Sequence, residues 1–322
     1  MSPNLLKSLF QRMLKIRVVE ERIAELYPDQ EMRCPVHLCI GQEAIASGVC
    51  EALLKSDHVL STHRSHGHYL AKGGNLRRMM AEVYGRETGC SQGKGGSMHL
   101  VDLDVGYLGA APIVGSTIPI AVGVAFGTAM KGGQEVAVAF FGEGATEEGV
   151  FHESANFAVL KNLPVVFICE NNLYSVYSPM EVRQPAGREV YEIANAYGLV
   201  SEQGDGNDVV EVYERTRQAV GRARSGGGPS FLEFKTYRWR EHCGPYYDND
   251  IGYRTEEEFL KWKKLCPVSR MQKQLVEGGV LDEVEIEQLS AALKIEMNDA
   301  IAFAQASSFP DEEILMNHIY AE

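Results

Sequence analysis

The middle of the chain contains the pattern that most constrains its fold: two continuous apolar runs flanking a segment with helical character. The apolar runs cover residues 135–141 and 163–169, and the segment between them covers residues 147–161. A strand that is apolar along its whole length is buried on both faces, as in parallel sheets covered by helices. The pattern therefore predicts a βαβ unit and an α/β fold with helices on both faces of a parallel sheet.

The remaining segments extend this prediction to the whole chain. Apolar residues at helical spacing predict long N-terminal helices, and a glycine-rich stretch of low hydrophobicity predicts a long loop. We expect a single domain over residues 1–322, with N-terminal helices within residues 1–55 and a charged C-terminal helical cap over residues 255–322. Individual predictions are helices at 5–27, 42–55 and 209–225, a loop at 85–96, a fully buried helix at 115–130 and a strand at 230–235.

Composition excludes several classes of function. The net charge of −13 argues against nucleic acid or an anionic membrane as the main partner. No apolar run approaches the roughly 20 residues that span a bilayer, and the first eleven residues lack the apolar core of a signal peptide. The seven cysteines form no CxxC pair, so neither a disulfide framework nor a zinc site is indicated. We therefore expect a cytoplasmic protein.

Polar residues with the chemistry of a metal site follow both apolar strands. A GEGA segment at residues 142–145 follows the first strand, and an ENNLY segment at residues 170–174 follows the second. Glycines and a helix N-terminus at a strand end favour an anion such as phosphate. The acidic Glu143 fits there if Mg²⁺ bridges it to the phosphate, with the Asn172 amide oxygen and the Tyr174 carbonyl as further hard ligands.

Two further segments are rich in arginine and histidine. Residues 63–68 read HRSHGH, and residues 236–245 read TYRWREHCGP directly after the predicted strand at 230–235. Each could be a solvated surface loop. The functional alternative is that Arg64 binds phosphate and His66 moves protons, with the second segment at the same crevice.

At these residues the sequence resembles the alpha subunit of the thiamine-diphosphate-dependent 2-oxo acid dehydrogenases, the first component of the pyruvate, branched-chain 2-oxo acid and acetoin dehydrogenase complexes. The matching motifs occur in the family's order across nearly the whole chain. They are GQEA (41–44), THRSHGH (62–68), GKGGSMH (93–99), IVGSTIP (113–119), FGEGATEEG (141–149), ICENNLY (168–174), DGND (205–208), TYR (236–238) and GYRTEEE (252–258).

The resemblance implies a set of roles. Mg²⁺ is expected on Glu143, Asn172 and the carbonyl of Tyr174, and the aminopyrimidine on the backbone of Ile113 and Val114. His66 and His242 are expected near the substrate, where they steady developing charge or move protons. The cofactor-binding residues implied by the resemblance are His63, Arg64, Ile113, Val114, Gly142, Glu143, Gly144, Ala145, Asn172, Tyr174 and Arg238.

The resemblance also implies a shared active site and leaves the acyl acceptor open. The expected assembly is a heterotetramer of two alpha and two beta subunits, in which the beta subunit supplies a glutamate. The expected reaction is decarboxylation of a small 2-oxo acid and transfer of its acyl unit to a lipoyl-bearing acyltransferase. His63 replaces a common tyrosine, and Cys243 replaces a serine in the loop that shapes lipoyl access. A carboligase or acetoin-cleaving enzyme with another acceptor, or a non-catalytic scaffold subunit, are the alternatives.

Overall fold

A computed structural model describes residues 1–317 and 319–320, and its centre is a six-stranded sheet in which every neighbouring pair is parallel. The α/β fold predicted from the apolar runs is confirmed. The strands are β1 (His58–Ser61), β2 (Tyr107–Ala110), β3 (Ala137–Gly142), β4 (Val165–Asn171), β7 (Val200–Asp205) and β8 (Ser230–Lys235), with a separate antiparallel pair, β5 (Tyr174–Ser175) and β6 (Ser178–Pro179).

The order of the strands across the sheet is β2-β1-β3-β4-β8-β7. The central strands β3 and β4 pair in register from Ala137 opposite Val165 to Gly142 opposite Glu170. Nearly every residue in these two strands is buried, which is why they read as continuous apolar runs in the sequence. Their register brings the GEGA and ENNLY segments to the same edge of the sheet.

Helices cover both faces of the sheet and form two separate apolar cores. One core contains α5, α6 and α8, and the larger core contains α1 to α4 together with α9 to α12. The helices are α1 (Pro3–Leu26), α2 (Glu43–Glu51), α3 (His66–Lys72), α4 (Leu76–Val83), α5 (Thr117–Lys131), α6 (Gly149–Leu160), α7 (Met180–Arg183), α8 (Val190–Ala196), α9 (Val209–Arg224), α10 (Glu256–Lys263), α11 (Pro267–Glu277) and α12 (Glu283–Ala306).

The terminal helices pack on the larger core. Helix α12 begins at a capping box, in which Asp282 accepts from the Glu285 backbone N–H and the Glu285 carboxylate accepts from that of Asp282. It packs against both α1 and α4. Within residues 255–322 the structure has α10, α11 and α12 joined by short turns, with a 3-10 turn at Glu312–Met316, and residues 318, 321 and 322 lie outside the described residues.

The prediction that residues 115–130 form a fully buried helix is wrong in one respect. Helix α5 is present, but only one side of it packs into a core. The side chains of Ile120 and Met130 are 52% and 73% exposed, and Gly123 and Gly127 have open space where a Cβ would project. Small apolar residues allow a helix to pack closely against any neighbour. Composition alone therefore could not show whether this face is buried by the same chain or by a second chain.

Within the described residues, none of the helices has the length and apolar character needed to cross a membrane.

Candidate functional site

A cavity opens at the carboxyl ends of β1, β3 and β4, where parallel strands of an α/β sheet place ligand sites. The sequence predicts that the GEGA, ENNLY and HRSHGH segments converge, and the structure brings residues of all three to the wall of this cavity. The wall includes His63, Arg64, Val114, Gly142, Glu143, Gly144, Ala145, Asn172, Tyr174 and His242 from the predicted set.

Glu143 is a buried carboxylate on the cavity wall, with only 2% of its surface exposed. Its Oε1 atom accepts a hydrogen bond from Arg183 Nη2 at 2.6 Å, and Arg183 also pairs with Glu147. Burial raises the pKa of Glu143, and the charge of Arg183 opposes that rise. A buried carboxylate paired with one arginine can exchange that partner for another cation.

Asn172 and Tyr174 stand beside Glu143 in a strained turn. The Asn172 side-chain oxygen accepts from the Tyr174 backbone N–H at 3.3 Å. Leu173 and Val176 adopt φ values of 74° and 54°, in the left-handed region that costs non-glycine residues free energy. Such strain recurs where backbone oxygens must be aimed at a ligand.

Arg64 is the most unusual group on the wall, because it is a buried cation without an anion beside it. Its guanidinium donates to the backbone carbonyls of Leu38 at 2.6 Å and His242 at 3.2 Å. Among the described residues no carboxylate comes within ion-pair distance of it, and it is 5% exposed. Burial and the nearby charge of Arg238 lower its pKa to about 10. A buried, unpaired guanidinium on a cavity wall is a receptor for an anion.

Three histidine rings gather next to Arg64. The ring centroids of His37 and His63 are 4.7 Å apart, and each lies 5.2 Å from that of His242. Burial and the charge of Arg64 lower the pKa of all three, each to about 3. All three imidazoles are therefore neutral at physiological pH. His63 and His242 are predicted site residues, whereas His37 is not.

Two predicted site residues lie behind the wall and not on it. His66 is fully buried, and its ring nitrogens bond to Glu20 at 2.6 Å and Ser97 at 2.7 Å. Arg238 is 1% exposed and donates to the Val176 carbonyl at 2.8 Å, as well as to Tyr253 and the Arg240 carbonyl. Both residues support the wall from within, His66 beneath Arg64 and Arg238 beneath the strained turn.

Ile113 and Val114 form the outer lip of the cavity. Val114 contributes to the wall, whereas the Ile113 side chain points outward and is 72% exposed. The backbone carbonyl of Ile113 accepts from the Ser116 N–H at 3.1 Å, so this short turn has a fixed shape.

Several residues of the cavity wall were not predicted from the sequence. Glu170 lies inside the ENNLY motif, and its Oε1 atom is 3.1 Å from His68 Nε2. Its place in that motif could have indicated a position at the site. His37 is brought to the site by a bridge between residues 37 and 244, which sequence spacing does not reveal. The wall residues not predicted are His37, Gln42, Thr62, Met98, Pro112, Gly115, Glu170, Ser175 and Val176, and Arg183 was not predicted as the partner of Glu143.

Two other motifs have structural roles. In GQEA, Gly41 has φ 98°, and an added Cβ would lie 2.4 Å from the Trp239 ring, so glycine is required there. The glycine-rich loop at residues 85–96 is confirmed, and it wraps around the buried carboxylate of Glu82. That carboxylate accepts from the backbone N–H groups of residues 91, 93, 95 and 96.

Comparison with known proteins agrees with this site. Residues 11–313 match the family described as the dehydrogenase E1 component. The chain is 38% identical over 318 residues to the alpha subunit of acetoin:2,6-dichlorophenolindophenol oxidoreductase from Bacillus subtilis (strain 168), covering 97% of this chain and 92% of the relative. It is 35% identical over 311 residues to the pyruvate dehydrogenase E1 component subunit alpha of Rickettsia bellii (strain RML369-C), covering 97% and 94%.

A third relative is the chloroplastic pyruvate dehydrogenase E1 component subunit alpha-3 of Arabidopsis thaliana, 35% identical over 320 residues, or 98% of this chain and 74% of that protein. The chain therefore belongs to the dehydrogenase E1 component family, a family of thiamine-diphosphate-dependent enzymes. The resemblance given by the sequence motifs is confirmed, and so is the expected class of oxidoreductase acting on 2-oxo acids.

Proposed function

We propose that this chain is the alpha subunit of a two-chain 2-oxo acid dehydrogenase component, and that it holds the diphosphate end of thiamine diphosphate through Mg²⁺. The proposal depends on two buried groups of opposite charge on the wall of one cavity. Arg64 is a buried cation that lacks an anion, and Glu143 is a buried carboxylate suited to a metal. A magnesium diphosphate supplies an anion for Arg64 and a cation that can take the place of Arg183 at Glu143.

The donors fit Mg²⁺. Glu143 offers a carboxylate, Asn172 an amide oxygen and Tyr174 a backbone carbonyl, and hard oxygen ligands of this kind are the ones that Mg²⁺ prefers. Gly144 lies on the cavity wall and packs closely against the neighbouring turn, where an added Cβ would lie 2.9 Å from Ser175 Oγ. Diphosphate oxygens would be bound by Arg64 and by the backbone of Gly142, Gly144 and Ala145, with His63 beside them.

The remaining residues have roles that follow from their positions. The backbone of Ile113 and Val114 would hold the aminopyrimidine at the lip of the cavity. His242 faces the cavity and would contact the substrate, whereas His66 and Arg238 act as positioning residues. Thiamine diphosphate, when bound, supplies the carbon that adds to the 2-oxo group and accepts the electrons left when CO₂ departs.

His66 reaches the cavity only through other residues. Its ring orders the Ser97 hydroxyl, and Glu20 fixes the ring from the opposite side while also accepting from the Cys39 backbone N–H at 2.5 Å. The Ser65 hydroxyl donates to the Ser97 carbonyl at 3.0 Å, so the network anchors the segment that carries Arg64. The resemblance gives His66 and His242 the same role at the substrate, and of the two only His242 lines the cavity, so we propose His242 for the direct contact.

An uncovered apolar face supports a beta partner. Ile113, Ile120, Met130 and Leu160 are each more than half exposed, and they surround glycines of α5 that leave open space. This face begins at the lip of the cavity, where Val114 is also exposed. A partner chain seated here would bury the face and close the cavity, as expected for a heterotetramer of two alpha and two beta subunits.

The acyl acceptor has two candidates. The pyruvate dehydrogenase relatives favour transfer to a lipoyl-bearing acyltransferase. The acetoin oxidoreductase relative, named for an artificial acceptor, favours acetoin cleavage, and Cys243 in the segment beside His242 is a departure that would alter the entrance. The two reactions share the magnesium diphosphate site and differ in what enters the cavity.

The test uses this chain co-expressed with a candidate beta subunit. With a 2-oxo acid and a lipoyl domain, we expect CO₂ release and acylation of the lipoyl group. Acetoin oxidation with an artificial acceptor, without turnover of any 2-oxo acid, would select the alternative. Cofactor binding without turnover of either substrate would contradict both reactions and favour a scaffold subunit.

A further inference from the structure

The proposed function gives separate roles to His63 and His242 beside Arg64, but it does not explain why His37 joins them in one cluster. One ring nitrogen from each of His37, His63 and His242 lies within 4.8 Å of the other two. His37 is 7% exposed, and its Nδ1 atom is buried without a hydrogen-bond partner among the described residues. A buried polar atom that faces a cavity and lacks a partner indicates a missing ligand.

We infer that His37, His63 and His242 form a second metal site, which binds a borderline divalent cation such as Zn²⁺ or Co²⁺ and leaves one position open to the cavity. Three imidazoles with an open fourth position are a recurring ligand set for Zn²⁺. Zn–N bonds of about 2.0–2.1 Å require the ligand nitrogens to lie closer than they do here, so small side-chain rotations must accompany binding. The rings line a cavity wall and have room for such rotations.

The close grouping of three ring nitrogens carries the choice of a cation at this cluster. Burial and Arg64 lower the pKa of the three rings to about 3, so each ring offers a lone pair at physiological pH. A neutral imidazole can also donate one N–H to an anion, so protonation alone does not decide. The nearest cation is Arg64, whose Nη2 atom lies 3.5 Å from His242 Nδ1. An anionic fourth ligand, such as hydroxide, would offset the repulsion between Arg64 and the metal.

Ligand chemistry separates this site from the one around Glu143. Imidazole nitrogens favour Zn²⁺, Co²⁺ and Ni²⁺, whereas the oxygens of Glu143, Asn172 and Tyr174 favour Mg²⁺. The inferred binding does not rest on the proposed function. One consequence does rest on it: a cation at the histidines would obstruct the Arg64 side of the cavity, so Zn²⁺ should inhibit the assembled enzyme.

The test is titration of the full chain, without thiamine diphosphate, with CoCl₂ while its visible absorption is followed. Four-coordinate Co²⁺ gives an intense visible band that hydrated Co²⁺ lacks, and we expect a saturable band that Zn²⁺ removes and excess Mg²⁺ does not. The His63→Tyr variant should bind Co²⁺ at least roughly tenfold more weakly. His242→Gln is the second cluster variant, used in case His63→Tyr changes folding.

Controls come from the same chain. His99→Gln removes an exposed histidine outside the cluster, and Glu143→Gln removes the carboxylate of the other site. Both should keep the Co²⁺ band, and thermal melting should show each variant folded. A folded chain that gives no band, or a band lost in Glu143→Gln and kept in both cluster variants, would overturn the inference.

Discussion

Glu143 is the residue on which the cofactor proposal depends most. Replacing Glu143 by Gln preserves its volume and removes the charge that a divalent cation needs, so Mg²⁺-dependent binding of thiamine diphosphate should weaken by at least about 100-fold, roughly 2.7 kcal/mol. The variant also releases Arg183 from its 2.6 Å contact. Calorimetric titration of the assembled enzyme measures the change.

Glu147→Gln is the matched control for this experiment. Glu147 also pairs with Arg183, but its side chain is 30% exposed and it is not on the cavity wall. Its replacement should leave cofactor affinity within a few-fold of the unchanged enzyme. Equal affinity of the Glu143→Gln and Glu147→Gln variants would remove Glu143 from the metal site.

The same residues show what sequence could predict. The GEGA and ENNLY segments follow strands that are buried along their whole length, so their meeting at one sheet edge could be predicted. His66 was expected at the substrate, but its partner Glu20 lies 46 positions earlier in α1 and holds the ring inside the core. The place of His37 depends on the bridge between residues 37 and 244. Contacts of that range have no local signature.

At the scale of the elements, the loop at residues 85–96 depends on one carboxylate. Glu82 is fully buried on α4 and satisfies four backbone N–H groups of this loop. Glu82→Ala leaves those donors without an acceptor, and we expect a loss of about 3 kcal/mol in the free energy of unfolding. Denaturant unfolding measures this loss.

Glu87→Ala is the control variant, for which we expect almost no loss of stability. Glu87 is an exposed residue of the same loop, and its replacement should change the free energy of unfolding by no more than about 0.5 kcal/mol. Similar losses in the two variants would show that the Glu82 carboxylate does not hold the loop.

The helices and strands differ in how far sequence could predict them. The central strands and α9 were predicted to within about two residues. In these segments the spacing of the apolar residues and the flanking turn residues indicate the same boundaries. The short strands β1 and β2 and the short helices α3 and α4 were not predicted, since four to eight residues carry too little periodicity. Helix α5 was predicted as fully buried, although its outer face is exposed. Its composition is suited to burial, and the proposed beta subunit is what would cover it.

For the molecule as a whole, the histidine cluster should make the free energy of unfolding depend on pH. The pKa values of His37, His63 and His242 fall from 6.5 to about 3 on folding, because burial and Arg64 disfavour their charged forms. Between those values the unfolded chain binds more protons than the folded one. The free energy of unfolding should therefore decrease as pH falls below about 6.5.

Comparison with a variant separates this effect from the acid sensitivity of the carboxylates. His63→Tyr removes one of the three titrating groups, so it should lose less stability than the unchanged chain between pH 7 and about pH 5. Thermal melting of both proteins in matched buffers provides the measurement. Equal losses would show that the cluster does not contribute to the pH dependence.

The division of the chain into one domain with helical extensions remains a prediction, and so does the direct role of each site residue. What the whole molecule shows is a half-enclosed site: a cavity with an unpaired buried cation, a buried carboxylate, and an apolar face beginning at its lip. These features together support the proposal that another chain completes the cofactor site.

Calorimetric titration of thiamine diphosphate with Mg²⁺ tests that claim most directly. It is made on this chain alone and on this chain co-expressed with its beta subunit. We expect tight, Mg²⁺-dependent binding in the co-expressed sample and weak or no binding to the chain alone. Equally tight binding by the chain alone would contradict the shared site, and no binding in either sample would contradict the cofactor assignment itself.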